Sequence, residues 1–273
     1  MKLGIINSAF SQVGVPTATG LEHIARIGFD CVDIFTEAMT ISAEEKRIIR
    51  STCERKGLPI VSLPVVATGL IDFNEPVRDF HVERCKRFID LAAEFEARNV
   101  VVVLGEYLWQ REVIRAADQW RWAIETCRIL GDYADGKNLD IALELEPFRM
   151  SLLNSVDAMA SFVDECGHRR VRANIDISHC VLSDSGAESI ARLKNKAVHV
   201  HISDCDGKVH GDLPPGRGMV KFTPYLEAIK ELGIEGAISI ELEYSPDPAR
   251  IVEWVEEAYR ETDRLMRLTG LRA

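Results

Sequence analysis

No apolar run in the sequence reaches the roughly 18 residues that a membrane-spanning helix needs. The N-terminal MKLGIINSAF also has too few apolar residues for the core of a secretory signal. The seven cysteines are odd in number, scattered and never spaced as C-x-x-C, which argues against a disulfide framework and a zinc ribbon. We therefore expect reduced thiols, no membrane partner and a cytoplasmic location.

Positive charge is also scarce, because 33 basic residues face 43 acidic ones and the net charge is -10. No basic stripe interrupts this balance, so the surface would repel a phosphate backbone and we expect no nucleic-acid partner. Hydrophobic residues make up 47% of the 273 residues, which is enough for the large core of a globular protein.

Short apolar runs alternate with longer amphipathic stretches about eight times along the chain. This pattern predicts an α/β protein in which residues 1–273 form a single-domain (β/α)8 TIM barrel. An open doubly wound sheet is the second choice, but the first turn, residues 8–20, lacks the expected G-x-G-x-x-G. The predicted strands are 3–7, 31–35, 60–66, 99–105, 140–146, 171–178, 198–203 and 237–243.

Capping residues mark several of the intervening helices. Ser42 and Glu45 form the pattern of a capping box, and Gly57 stands where that helix would end. Gly233 ends another amphipathic stretch in the same way, and Pro248 begins the last one. We expect the chemistry at the C-terminal ends of the strands, because active sites of such barrels lie at that face.

Acidic residues and histidines lie at the ends of four consecutive predicted strands. Each lies among apolar residues, and a salt bridge to a helix would explain any single case. Four strands in succession instead indicate a cation, because clustered carboxylates repel one another, and oxygen and imidazole ligands suit Mn, Mg, Co or Zn. Residues two apart on a strand share a face, so the residues alone do not choose within each pair. The residues are Glu144, Glu146, Asp176, His199, His201, Glu241 and Glu243.

Five short motifs follow these strands: L-E-x-x-P, I-D-x-x-H, H-x-H-x-S-D, P-G-x-G and S-x-E. They resemble the sugar phosphate isomerase/epimerase superfamily of xylose isomerase-like barrels, and most closely its ketose 3-epimerases. The resemblance covers the C-terminal half in motifs and the whole chain in the order of strands and helices. It implies one divalent metal, with Mn expected first and Mg, Co or Zn as alternatives, and a small sugar substrate.

The same resemblance implies roles for individual residues. Its four metal ligands correspond to Glu144, Asp176, His201 and Glu241. Glu144 and Glu241 would also be the catalytic acid and base. The resemblance further implies that His179 and the loop arginine, here Arg217, hold substrate oxygens; the comparable arginine precedes the P-G in the epimerases, whereas Arg217 follows it.

Other candidates surround this set. Trp109 is a candidate to stack on a sugar face or to pack against a helix, and Glu146 and Glu243 are candidates for outer groups of the site. His199 is expected to be a packed or hydrogen-bonded core residue. Residues 204–221 form the longest polar stretch without periodicity, and long loops in compact domains are often functional.

A divalent metal beside two glutamates supports proton transfer on a ketose through an enediolate. Return of the proton to the opposite face of the same carbon gives epimerisation, and its return to the neighbouring carbon gives isomerisation. Loss of a β-hydroxyl would make the protein a dehydratase or lyase of a keto-sugar or inositol-type substrate. The residues leave these outcomes open. A homo-oligomer is compatible with the sequence.

Two further classes are disfavoured. Apurinic endonucleases of the superfamily share part of the motif set, but they need histidines after the second and after the third or fourth strands, where this chain has none. The net charge of -10 also opposes DNA binding. A non-catalytic sugar-binding protein would not need paired carboxylates around a metal.

Overall fold

The computed structural model describes residues 1–105, 114–243 and 245–273. Eight parallel strands form one sheet in the order β1-β8-β7-β6-β5-β4-β3-β2. A parallel bridge between Ile6 and Asp33 joins the two edge strands and closes the barrel. The predicted (β/α)8 barrel is therefore confirmed. The strands are β1 Lys2–Ile5, β2 Val32–Asp33, β3 Ile60–Val66, β4 Asn99–Val103, β5 Asp140–Leu143, β6 Val171–Asp176, β7 Ala197–Ile202 and β8 Ala237–Ile240.

Helices follow the strands and cover the outside of the barrel. The α-helices of the described residues are α1 Ser8–Ser11, α2 Thr17–Ile27, α3 Ala43–Lys56, α4 Glu75–Glu94, α5 Ala116–Asp135, α6 Val156–Cys166, α7 Ile177–Leu182, α8 Phe222–Leu232 and α9 Ile251–Leu268. Three short 3₁₀ helices, Thr68–Ile71, Ala187–Leu193 and Pro248–Arg250, lie between them.

The helix ends follow the capping pattern of the sequence. The Ser42 side chain accepts a hydrogen bond of 3.0 Å from the Glu45 amide at the start of α3. Gly57 ends this helix with a φ of 63°, in the left-handed region that glycine adopts without strain. Gly233 ends α8 in the same conformation, and Pro248 begins the 3₁₀ turn that leads into α9. These predictions are confirmed.

The strands are buried on both faces, as parallel strands between helices and a barrel interior must be. β4 illustrates this, because Val100, Val101 and Val102 are each at most 2% exposed. The buried apolar residues of strands and helices join into one large cluster. This core fixes the strand ends, and with them the positions of the polar side chains that follow.

Several strands are shorter than predicted at their C-terminal ends. β5 ends at Leu143 and β8 at Ile240, so Glu144 and Glu241 follow the strands directly. Their amides still donate to Val102 O at 2.9 Å and Ile202 O at 3.1 Å. The backbone then leaves the sheet, although the apolar alternation continues for two more residues. β6 likewise ends at Asp176, and the predicted strand residues 177–178 belong to α7.

The seven cysteines are all unpaired and buried. Burial raises the pKa of several of these thiols, including that of Cys53 to about 12. Among the described residues, no helix combines the length and apolar character required to traverse a bilayer.

Candidate metal centre and active site

Four of the predicted site residues meet at the C-terminal end of the barrel. Potential ligand atoms of Glu144, Asp176 and His201 all lie within 4.8 Å of one another. Glu241 joins them, because its Oε2 lies 3.4 Å from His201 Nδ1, and Glu144 Oε2 lies 3.3 Å from the same nitrogen. The four come from β5, β6, β7 and β8, which are neighbours in the sheet. Three acidic side chains therefore surround one imidazole.

Asp176 is held by one oxygen and leaves the other open. As the N-cap of α7, its Oδ1 accepts from the His179 amide and the Ser178 hydroxyl, both at 2.8 Å. Its Oδ2 is buried and accepts a hydrogen bond from none of the residues that the structure describes. Burial alone would raise the pKa of Asp176, but the charges of His179 and His201 lower it. An ionised, unpartnered carboxylate oxygen in this position is suited to bind a cation.

Glu144 is oriented by Asn174, which lies two residues before Asp176 on β6. The Asn174 side-chain amide donates to both carboxylate oxygens of Glu144, at 2.8 and 2.7 Å. Our sequence reasoning missed Asn174. The available signal was that residues two apart on a strand face the same side, so Asn174 shares the face of Asp176.

Asp33 forms an outer layer behind His201, and it was also missed. Its Oδ2 lies 2.9 Å from His199 Nε2 and 3.7 Å from His201 Nε2. Burial opposes ionisation of Asp33, but the charge and hydrogen bond of His199 outweigh this effect and lower its pKa. A carboxylate at Nε2 favours a proton on that nitrogen and leaves Nδ1 free to face Glu144 and Glu241. His199 is thus hydrogen-bonded in the core, as expected.

We expect Asp33→Asn to weaken binding of a divalent cation by about 10- to 100-fold, because the substitution removes the charge that orients His201. Competition with a chromophoric chelator would measure the change in the dissociation constant. Asp184→Asn is the matched control, since Asp184 is exposed and lies in a left-handed conformation that asparagine tolerates. An unchanged dissociation constant in Asp33→Asn would contradict the orienting role.

The remaining acids depend on their surroundings. Burial raises the pKa of Glu241, with His201 opposing the rise. Burial also raises the pKa of Glu146 to about 8, and the neighbouring Glu144 and Glu241 add to the effect. Glu243 instead accepts a hydrogen bond of 2.8 Å from the Gln12 side chain. The raised pKa values indicate that this many acids need a counter-charge to ionise together.

The polar loop after β7 is built around Asp204. Its carboxylate accepts four backbone hydrogen bonds of 2.9 to 3.0 Å, which bind the two ends of the loop together. Gly218 is required there, because a Cβ at this position would lie 2.2 Å from Cys205 O. The amides that donate to Asp204 belong to Cys205, Gly216, Gly218 and Val220.

The structure does not bring Arg217 into the cluster. Its guanidinium donates two hydrogen bonds of 2.7 Å to Glu257 of α9 and lies 4.1 Å from the centre of the Trp254 ring. These contacts commit its donors to α9, which corrects the expectation that Arg217 holds substrate oxygens. His179 does lie beside the cluster, with Nδ1 3.9 Å from Glu144 Oε1. Trp109 lies outside the described residues.

A barrel with such a ligand set at its C-terminal face is typical of metal-dependent enzymes of this architecture. Residues 21–267 match the family model described as xylose isomerase-like TIM barrel. The chain belongs to this family, as its motifs indicate.

Three similar proteins illustrate the relationship. D-psicose 3-epimerase of Ruminiclostridium cellulolyticum is 22% identical over 228 residues, which cover 81% of this chain and 76% of that protein. The crystal structure of a D-tagatose 3-epimerase-like protein has a TM-score of 0.80 at 25% identity and covers 97% of this chain and 100% of that one. The IOLI protein, whose crystal structure contains a zinc atom, has a TM-score of 0.85 at 19% identity, with coverage of 97% and 98%.

Proposed function

We propose that the protein is a divalent-metal-dependent epimerase of ketose-type sugars. One observation carries the proposal: the carboxylates of Glu144 and Glu241 both lie within 3.4 Å of His201 Nδ1, beside the open oxygen of Asp176. Membership of the xylose isomerase-like family and similarity to 3-epimerases of psicose and tagatose support it. The seven unpaired thiols support a cytoplasmic location, where thiols stay reduced.

The residues fit a divalent cation. Asp176 Oδ2 is a buried carboxylate oxygen with no hydrogen-bond donor among the described residues, which is an arrangement that a metal ion would complete. Three carboxylates and one imidazole form a donor set that suits Mn, Mg, Co or Zn, and we propose Mn. Glu144, Asp176, His201 and Glu241 would hold the ion. Bound there, it supplies positive charge that polarises a ketose carbonyl and acidifies the neighbouring carbon.

The chain's own residues then move the proton. Glu144 and Glu241 approach His201 from β5 and β8, on either side of the two strands that carry Asp176 and His201. A sugar carbon between the two carboxylates can lose its proton to one and regain a proton from the other on the opposite face, through an enediolate. This transfer inverts the carbon. Asn174 positions Glu144 for the step through its two contacts.

The test is direct product analysis. The metal-loaded protein is incubated with D-psicose, D-tagatose and D-fructose, and the products are identified by carbon-13 NMR. We expect the C3 epimer of at least one ketose, and none from protein treated with a chelator. Appearance of an aldose would replace the proposal with isomerisation, and a dehydrated product would replace it with the dehydratase reaction. No turnover of any ketose would contradict the proposal.

A further inference from the structure

A second cluster of potential ligands lies beside the first. His179, His210 and Asp212 bring ligand atoms within 4.8 Å of one another, and their side chains are 3%, 21% and 0% exposed. His179 comes from α7, whereas His210 and Asp212 belong to the loop organised by Asp204. We propose that these three residues form a second divalent-metal site, with zinc as the preferred ion.

Two of the three side chains are each fixed through one polar atom and left open at the other. His179 Nδ1 lies 2.5 Å from Leu145 O, so Nδ1 carries a proton and Nε2 of the neutral ring has its lone pair free. Asp212 Oδ1 lies 3.0 Å from the Ser203 hydroxyl. Its Oδ2 is buried and has no hydrogen-bond partner among residues 1–105, 114–243 and 245–273. Such one-sided anchoring is how proteins orient metal ligands.

The open atoms converge. His179 Nε2 and His210 Nε2 are 2.5 Å apart, and His210 Nδ1 lies 3.5 Å from Asp212 Oδ2. A hydrogen bond between the two rings would leave the buried Asp212 carboxylate without a counter-charge. A cation would accept both an imidazole lone pair and the carboxylate. Burial and the charges of Glu241 and Asp176 raise the pKa of Asp212 to about 9, which is consistent with a missing positive charge.

Two imidazoles and one carboxylate are the protein ligands of several catalytic zinc sites, in which the fourth position stays open for water or substrate. The His179 amide also donates to Asp176 Oδ1 at 2.8 Å, so the second site adjoins the first. A substrate that spans both sites could place one more oxygen on the second ion. His179 would then hold that oxygen through the ion and not directly.

Counting metal ions tests the second site without any substrate. Protein stripped with a chelator is loaded with Zn²⁺ alone, passed through a desalting column and analysed by elemental analysis. We expect two equivalents in the unmodified protein and one in His210→Ala and in Asp212→Asn. His201→Ala should lose the other equivalent and keep the second site. His168→Ala, a half-buried histidine before β6 at the other end of the barrel, is the control and should keep two.

A spectrum of the Co²⁺-loaded protein gives a second measurement. Co²⁺ should give visible absorption from two sites, and His210→Ala should remove the contribution of one while its thermal unfolding stays cooperative. One equivalent of zinc in the unmodified protein, or two in His210→Ala, would overturn the proposal. Neither result depends on epimerase activity, so failure of the proposed function and failure of this site are distinguishable.

Discussion

Glu241→Gln is expected to lower kcat by about 10²- to 10⁴-fold, because the substitution removes one of the two groups that transfer protons. Glu144→Gln should have an effect of similar size, with a further loss where the metal ion is displaced. The glutamine keeps the length of the side chain, so a fold defect is not the expected cause. Steady-state kinetics on the metal-loaded variants would measure the change.

The two variants need not fail at the same half-reaction. A variant that lacks only the proton-returning group could still exchange the substrate proton with solvent without forming product, and this partial activity would assign the two roles. Glu235→Gln is the matched control, because Glu235 is exposed and precedes β8 at the opposite end of the barrel. A kcat within a few-fold of the unmodified protein for both Glu144→Gln and Glu241→Gln would contradict two-base proton transfer.

Asp176→Asn and His201→Ala are expected to lose the catalytic metal ion and with it nearly all activity. Asparagine is as good an N-cap as aspartate, so α7 should remain intact while the charged oxygen that faces the cluster is lost. Elemental analysis of the purified variants, followed by reloading with Mn²⁺ or Co²⁺, would measure the loss.

Cys205→Ser serves as the control for these two variants. Cys205 is buried in the loop after β7, and its thiol is not among the expected ligands. We expect this variant to keep its metal and its activity. Equal metal content in all three variants would show that the ligand assignment is wrong.

The sequence predicted the barrel well because alternation of strands and helices is a repeated, local pattern. It predicted strand ends less well, because the apolar alternation of L-E-L-E and I-E-L-E continues after the backbone has left the sheet. The physical pattern also could not choose between Glu144 and Glu146, since residues two apart on a strand share a face. That choice came from the resemblance and remains a prediction.

Residues that act through distant contacts were harder to find. Asp33 pairs with His199, which is 166 positions away in sequence, and only closure of the barrel brings them together. Arg217 lies in a motif loop, yet Glu257 and Trp254 of α9 engage it, and no local pattern announces that contact. His210 and Asp212 were noted only as polar loop residues, because their approach to His179 depends on the course of the loop.

The central claim is that Glu144 and Glu241 transfer a proton between the substrate and solvent-exchangeable carboxyl groups. Turnover of a ketose in heavy water, with NMR analysis of the product, tests it most directly. The account predicts deuterium at the inverted carbon of the product. Product without solvent deuterium at that carbon would contradict the account and favour a hydride shift.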